Sequence, residues 1–119
     1  MELKSFVYEV YNSIDQANAA KFASFISPTG LFRFANMPAV VGNREIEEYV
    51  DGFFKSLKGI SHSNLESWEA NNTLFVNGNV RYTRHNGTAL EAPFSCTWKM
   101  QDQLIHEYLI FIDASELYK

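Results

Sequence analysis

Cysteine is almost absent from this sequence: Cys96 is the only one in 119 residues. An internal disulfide is therefore excluded, and so is a metal centre built on clustered thiolates. Proline (3) and glycine (6) are sparse, and no repeat, linker or low-complexity tract breaks the chain. Basic residues number 10 against 14 acidic ones, for a net charge of −4. Nucleic-acid binding needs a concentrated basic patch. The nearest approach, "VRYTRH", splits Arg81 and Arg84 between opposite faces of a strand, so no nucleic-acid partner is expected. The apolar run "YLIFI" is far shorter than the roughly 20 residues a membrane-spanning helix needs. "MELKSF" lacks a basic segment followed by an apolar one. A cytoplasmic protein without a membrane partner is expected. His62, His85 and His106 show no HxH, HxxxH or Cys/His spacing, so neither a metal nor another cofactor is expected.

Aromatic side chains are what the sequence has in excess, with 10 Phe, 6 Tyr and 2 Trp. Rings in that number fill a core or line a cavity for an apolar ligand. The length suits one domain, since single domains cluster at about 100–150 residues. Residues 1–119 are expected to form it, with roughly two-thirds of the unfolded surface buried.

Leu3, Phe6, Val7, Val10, Tyr11 and Ile14 recur at spacings of three and four, the pattern of an amphipathic helix. Asp15 suits the cap of a second, Ala-rich helix reaching about Phe25. Ser27-Pro28-Thr29-Gly30 then breaks the helical period, and "LFRF" reads as a short strand. An irregular stretch from Ala35 to Gly42 follows. Asn43 suits the cap of a third helix with the stripe Ile46, Tyr49, Val50, Phe53, Phe54 and Leu57, ended by Gly59. Four strands follow, at 60–70, 73–85, 90–100 and 104–113, with "HNGT" and "MQDQ" as tight turns. The expected fold is α+β: three N-terminal helices packed on a strongly curved antiparallel sheet, forming a cone with an internal pocket.

"FRFANMPAVVG", "VRYTRHNG" and "LIHEYLIFID", in this order, resemble the nuclear transport factor 2-like superfamily, also called the SnoaL-like or cystatin-like cone fold. The resemblance implies a conical pocket into which catalytic carboxylates project, and it tests this chain residue by residue. The base of ketosteroid isomerases corresponds to the stretch Arg33-Phe34-Ala35-Asn36, which holds no acid. Their neutral oxyanion Asp corresponds to Cys96, a much weaker hydrogen-bond donor. Their oxyanion Tyr corresponds to Glu9 or Val10, with Tyr8 and Tyr11 beside them. The acid of SnoaL-type cyclases corresponds to Ile110, and the Asp-Arg-Asp set of the fold's epoxide hydrolases has no match. The fold is implied, but each familiar catalytic acid is missing.

His62 is the remaining candidate catalytic group, because imidazole is suited to reversible proton transfer near neutral pH. The bland alternative is a hydrogen-bonded histidine beneath the third helix. The expected pocket comprises Tyr11, Phe34, Asn36, Tyr49, Phe53, His62, Cys96, Trp98, Tyr108 and Ile110. Period-2 reading aligns Phe94, Cys96, Trp98 and Met100 on one face. Cys96 has no neighbouring base to generate thiolate, so it reads as an inert wall position. On the last strand, parity groups His106, Tyr108, Ile110 and Ile112 on one face, which the resemblance places toward the cone. Ile105, Glu107, Leu109, Phe111 and Asp113 then lie on the convex face, where the resemblance implies a homodimer. Arg81 reads as half of an ion pair near the sheet edge. Two functions stay open. One is a pocket protein for a small hydrophobic ligand, polyketide- or steroid-like, without the familiar carboxylates. The other is an acid–base isomerase, cyclase or dehydratase using His62 with Tyr or Asn partners.

Overall fold

The structure, a computed structural model, describes residues 2–118. Helix α1 spans Leu3–Asp15, and the Glu2 carboxylate accepts from the Lys4 and Ser5 amides at its start. Its buried stripe is Phe6, Val7, Val10 and Tyr11. Asp15 does not cap α2: it is the last residue of α1, and α2 is only Ala19–Ala23. The α2 cap is Asn18, whose Oδ1 accepts from the Lys21 amide at 3.0 Å. Helix α3, Asn43–Lys55, also departs from expectation. Gly42 occupies its cap position at φ +97°, with no side-chain cap, and the helix stops before Gly59.

Six strands form one curved, open sheet: β1 Ile26–Phe34, β2 Val40–Val41, β3 Gly59–Ala70, β4 Thr73–Thr83, β5 Ala89–Gln101 and β6 Leu104–Ile112. Their order is β2-β1-β6-β5-β4-β3. All neighbours are antiparallel except β1 and β6, which run parallel. β1 is longer than "LFRF" because a register shift between Ile26 and Leu31 accommodates Pro28, which has no N–H to donate. The edge strand β3 is kinked between Ser63 and Glu66, with Asn64 at φ +55°. Gly78 permits that kink: a Cβ there would stand 2.9 Å from Leu65 Cδ2 and 3.0 Å from the Ser63 carbonyl.

A third register shift corrects the parity of β6. Lys99 pairs with Glu107 and Met100 with Ile105, so His106 is left out of the ladder. Ile105 consequently turns into the core and is fully buried, and His106 bonds Ser27 Oγ through Nδ1 at 2.9 Å. Beyond the bulge the expected alternation resumes, with Tyr108 buried. Trp98 lies at the centre of the core. It is edge-on to Phe6 at 5.9 Å, stacked on Tyr11 at 5.6 Å and tilted against Tyr108 at 5.2 Å.

Replacing Ile105 with Ala should cost about 2–5 kcal/mol, the range for a fully buried branched side chain. Glu107→Ala, two residues on, should cost less than about 1 kcal/mol, because its pairing with Lys99 is a partly exposed surface contact. Urea unfolding measures both, and equal costs would contradict the bulge.

Candidate functional site

The concave face of the sheet and the three helices leave two connected spaces. The inner chamber is small, about 40 Å³, and almost wholly apolar in lining. The outer bowl, about 770 Å³, lies at the ends of β1 and β6 and is walled by 113–115, Leu117 and Tyr118. The chamber receives Tyr11 from α1, Phe34 from β1, and Tyr49 and Phe53 from α3. His62 comes from β3, Cys96 from β5, and Tyr108 and Ile110 from β6. Asn36 and Trp98 are not on this wall. Asn36 is exposed on the turn after β1, where Ala35 takes φ +54°, and it faces the bowl. Trp98 is 0% exposed, sealed behind Tyr11 and Tyr108. Phe32, Tyr82 and Phe94 add to the aromatic lining. Parity with Cys96 identifies Phe94; the other two required knowing how the sheet curves.

His62 is inward, with 8% of its side chain exposed. Its Nδ1 lies 2.6 Å from Asp15 Oδ1, and its backbone N–H donates to Asp15 Oδ2 at 3.0 Å. A carboxylate only accepts, so Nδ1 carries a proton, and in the neutral imidazole Nε2 keeps the lone pair. No protein partner occupies Nε2 among the described residues. Sequence reasoning missed Asp15. The signal was an acid in the last turn of a helix with no basic residue nearby, a placement that opposes the helix dipole by about 0.3–1 kcal/mol.

Tyr11 lies across the imidazole, with ring centroids 4.7 Å apart. Its hydroxyl is fully buried without a hydrogen-bond partner of acceptable geometry, as is Trp98 Nε1. Tyr11, Trp98 and Tyr108 all approach the Cys96 sulfur closely enough to favour its thiolate, but burial dominates and pushes the thiol up to about 12. Burial likewise holds the Tyr11 and Tyr108 hydroxyls well above the ordinary tyrosine range, reinforced at Tyr108 by the neighbouring thiol. At neutral pH these groups are donors, and Cys96 is no nucleophile.

Arg81 is outside the cone, paired with Glu91 at 2.8 Å across β4 and β5. Among the described residues no three His, Cys, Asp or Glu are placed to hold a metal, and no helix is long and apolar enough to cross a membrane.

The profile of the SnoaL-like domain matches residues 7–108. The chain belongs to the SnoaL-like family. No curated protein sequence matches it, but solved structures share its fold closely. A candidate polyketide cyclase from Xanthomonas campestris pv. campestris superposes with TM-score 0.86 at 11% identity, over 96% of this chain and 92% of that one. A nuclear transport factor 2-like protein of unknown function from Burkholderia pseudomallei K96243 gives 0.85 at 15% identity, over 96% and 92%. TerC, co-crystallised with polyporic acid, gives 0.80 at 17% identity, over 94% and 92%. At these identities the likeness is one of fold. Within that fold, the SnoaL-like chain described here carries its carboxylate on α1, behind an imidazole.

The buried hydroxyls and thiol have a pH consequence. Cys96 and Tyr82, like Tyr11 and Tyr108, are raised by burial. Over the window between the unfolded and folded values the native state therefore holds protons that the unfolded chain releases. Their contribution is present at neutral pH and is lost as pH rises above about 9. The urea midpoint should be nearly flat from about pH 7 to 8.5 and fall steadily toward pH 11. A constant midpoint over that range would contradict the burial of these groups.

Proposed function

We propose that the protein binds a small, largely apolar molecule in the cone and moves a proton on it, as an isomerase, cyclase or dehydratase does. The observation that carries this reading is the Asp15–His62 pair on the chamber wall, with the Tyr11 ring 4.7 Å from the imidazole. Asp15 fixes the ring and its tautomer, and Nε2 takes a proton from a carbon or oxygen beside a carbonyl. As that bond breaks, negative charge gathers on the carbonyl oxygen, where the Tyr11 hydroxyl donates, with Tyr108 next to it. A dry aromatic wall strengthens both interactions, because little solvent screens them. His62 is then positioned to return the proton at a second atom, completing an isomerisation, or to a leaving hydroxyl, completing a dehydration.

An apolar ligand with one or two oxygens, polyketide- or steroid-like, matches this lining, and the complex of TerC with polyporic acid supports that class. Asn36 and Phe34, at the bowl, are read as contacts for the outer end of such a ligand. We read residues 1–119 as one domain acting in the cytoplasm, without a cofactor. Exposed Phe75 and Phe111 on the convex face support a homodimer through that surface.

2-Tetralone, an apolar bicyclic ketone with acidic α-protons, is a suitable probe. Its α-carbon should exchange protium for deuterium in D2O faster with the protein than without it, saturably, as followed by NMR. His62→Gln should lower that rate by about 10²-fold or more, the usual contribution of a general base. Asp15→Asn and Tyr11→Phe should each lower it about 10- to 100-fold with the fold retained. Saturable tetralone binding with no exchange would leave a binding protein and remove the catalytic reading.

A further inference from the structure

The inner chamber and the outer bowl share four lining side chains and no others: Phe34, Tyr49, Phe53 and Ile110. These four are the partition between a reactive end too small for an organic ligand and a space large enough to admit one. A buried water needs about 10–15 Å³ of such volume, so the chamber's 40 Å³ holds a few waters at most. Any larger molecule that reaches His62 must move the partition.

The four side chains are not equally free to move. Phe34 and Ile110 face each other on β1 and β6, paired in register inside the sheet. Phe53 and Tyr49 are on α3. Phe53 closes the partition from the helix side, 5.2 Å from the Phe34 ring and edge-on to Tyr82 at 5.9 Å. Immediately before it stands Gly52, inside the helix and exposed. A Cβ at Gly52 would meet nothing within 4 Å, so packing does not require glycine there. Its effect is to weaken the last turn of α3 relative to alanine. Beyond the turn, Ser56 Oγ bonds Tyr118 Oη at 2.8 Å, tying the helix end to the 113–118 segment that walls the bowl.

We infer that the last turn of α3, Gly52–Lys55, is the gate between bowl and chamber, and that Phe53 is the side chain that decides which ligands pass. The inference rests on the chamber being the ligand site, but its test does not require turnover. Cys96, the sole cysteine, is buried on the chamber wall and reports its accessibility.

The neutral disulfide 4,4′-dithiodipyridine, under native conditions at fixed pH, is the probe. Once the partition opens and solvent reaches it, the Cys96 thiol gives up its proton to water, its thiolate attacks one sulfur, a mixed disulfide forms and 4-thiopyridone leaves, giving an absorbance change. Phe53→Ala should label at least about tenfold faster than the wild type by opening the partition. Gly52→Ala should label about two- to fivefold slower, the ratio that the Gly-to-Ala helix propensity difference implies. Ile105→Val, a core change outside the chamber wall, separates gating from global unfolding and should change the rate less than twofold. If Phe53→Ala folds poorly, Phe53→Leu should act in the same direction. Rates that track only global stability from urea unfolding, or a Phe53→Ala protein no faster than the wild type, would overturn the gate. Silence of the tetralone exchange alongside the expected labelling would instead remove the proton-transfer reading and leave the gate.

Discussion

The double hydrogen bond from His62 to the Asp15 carboxylate holds the site together. β3 is an edge strand, so its outward backbone N–H groups have no strand to bond. Asp15 takes one of those groups with Oδ2 and the imidazole Nδ1 with Oδ1. One carboxylate thereby fastens the end of α1 to the sheet edge and sets the angle of the ring. Tyr11 precedes Asp15 by four residues, on the same helix face, which is why its ring meets the imidazole 4.7 Å away. Sliding α1 along β3 by one turn would lose the carboxylate, the ring contact and the chamber wall together.

That arrangement carries an energetic cost that the rest of the core offsets. The Tyr11 hydroxyl and Trp98 Nε1 are buried without partners, and each such group costs about 1–3 kcal/mol. Asp15 sits at the unfavourable end of a helix dipole. Around these groups runs a continuous aromatic chain: Phe25, Phe6, Trp98, Tyr108, Phe22 and Phe32, in contact one after another. Local penalties inside a core otherwise this consistent support the proposed site, because a fold selected for stability alone would have filled the chamber.

The strands and the helix stripes were legible because their signal is local: apolar residues every second position, or every third and fourth. Phe94, Cys96, Trp98 and Met100 are all buried, as parity demands. What was not legible depends on residues distant in sequence. Asp15 looks like a helix cap because its neighbours on both sides are helical. Its actual partner is 47 residues away. Parity failed at Ile105 because a bulge is a property of two strands together. Trp98 and Cys96 share a face, yet only the thiol reaches the chamber. Depth along a cone depends on curvature, which periodicity does not encode. The partition at Phe53 needed both spaces to be seen.

The missing acids of β1, β5 and β6 acquire a physical meaning in this setting. A carboxyl group placed where Cys96 stands would be buried among two tyrosines and a tryptophan, where only its neutral form is favoured. This chain keeps that depth neutral, with a thiol held protonated by burial. The carboxylate is Asp15 instead, whose side chain is 27% exposed beside the sheet edge. An imidazole carries its influence inward. Under the proposed proton transfer, the substrate's reacting hydrogen would face the β3 edge of the cone, with its oxygen toward Tyr11 and Tyr108. That orientation is set by which wall holds the base, and it differs from the one a carboxylate on β1 would impose.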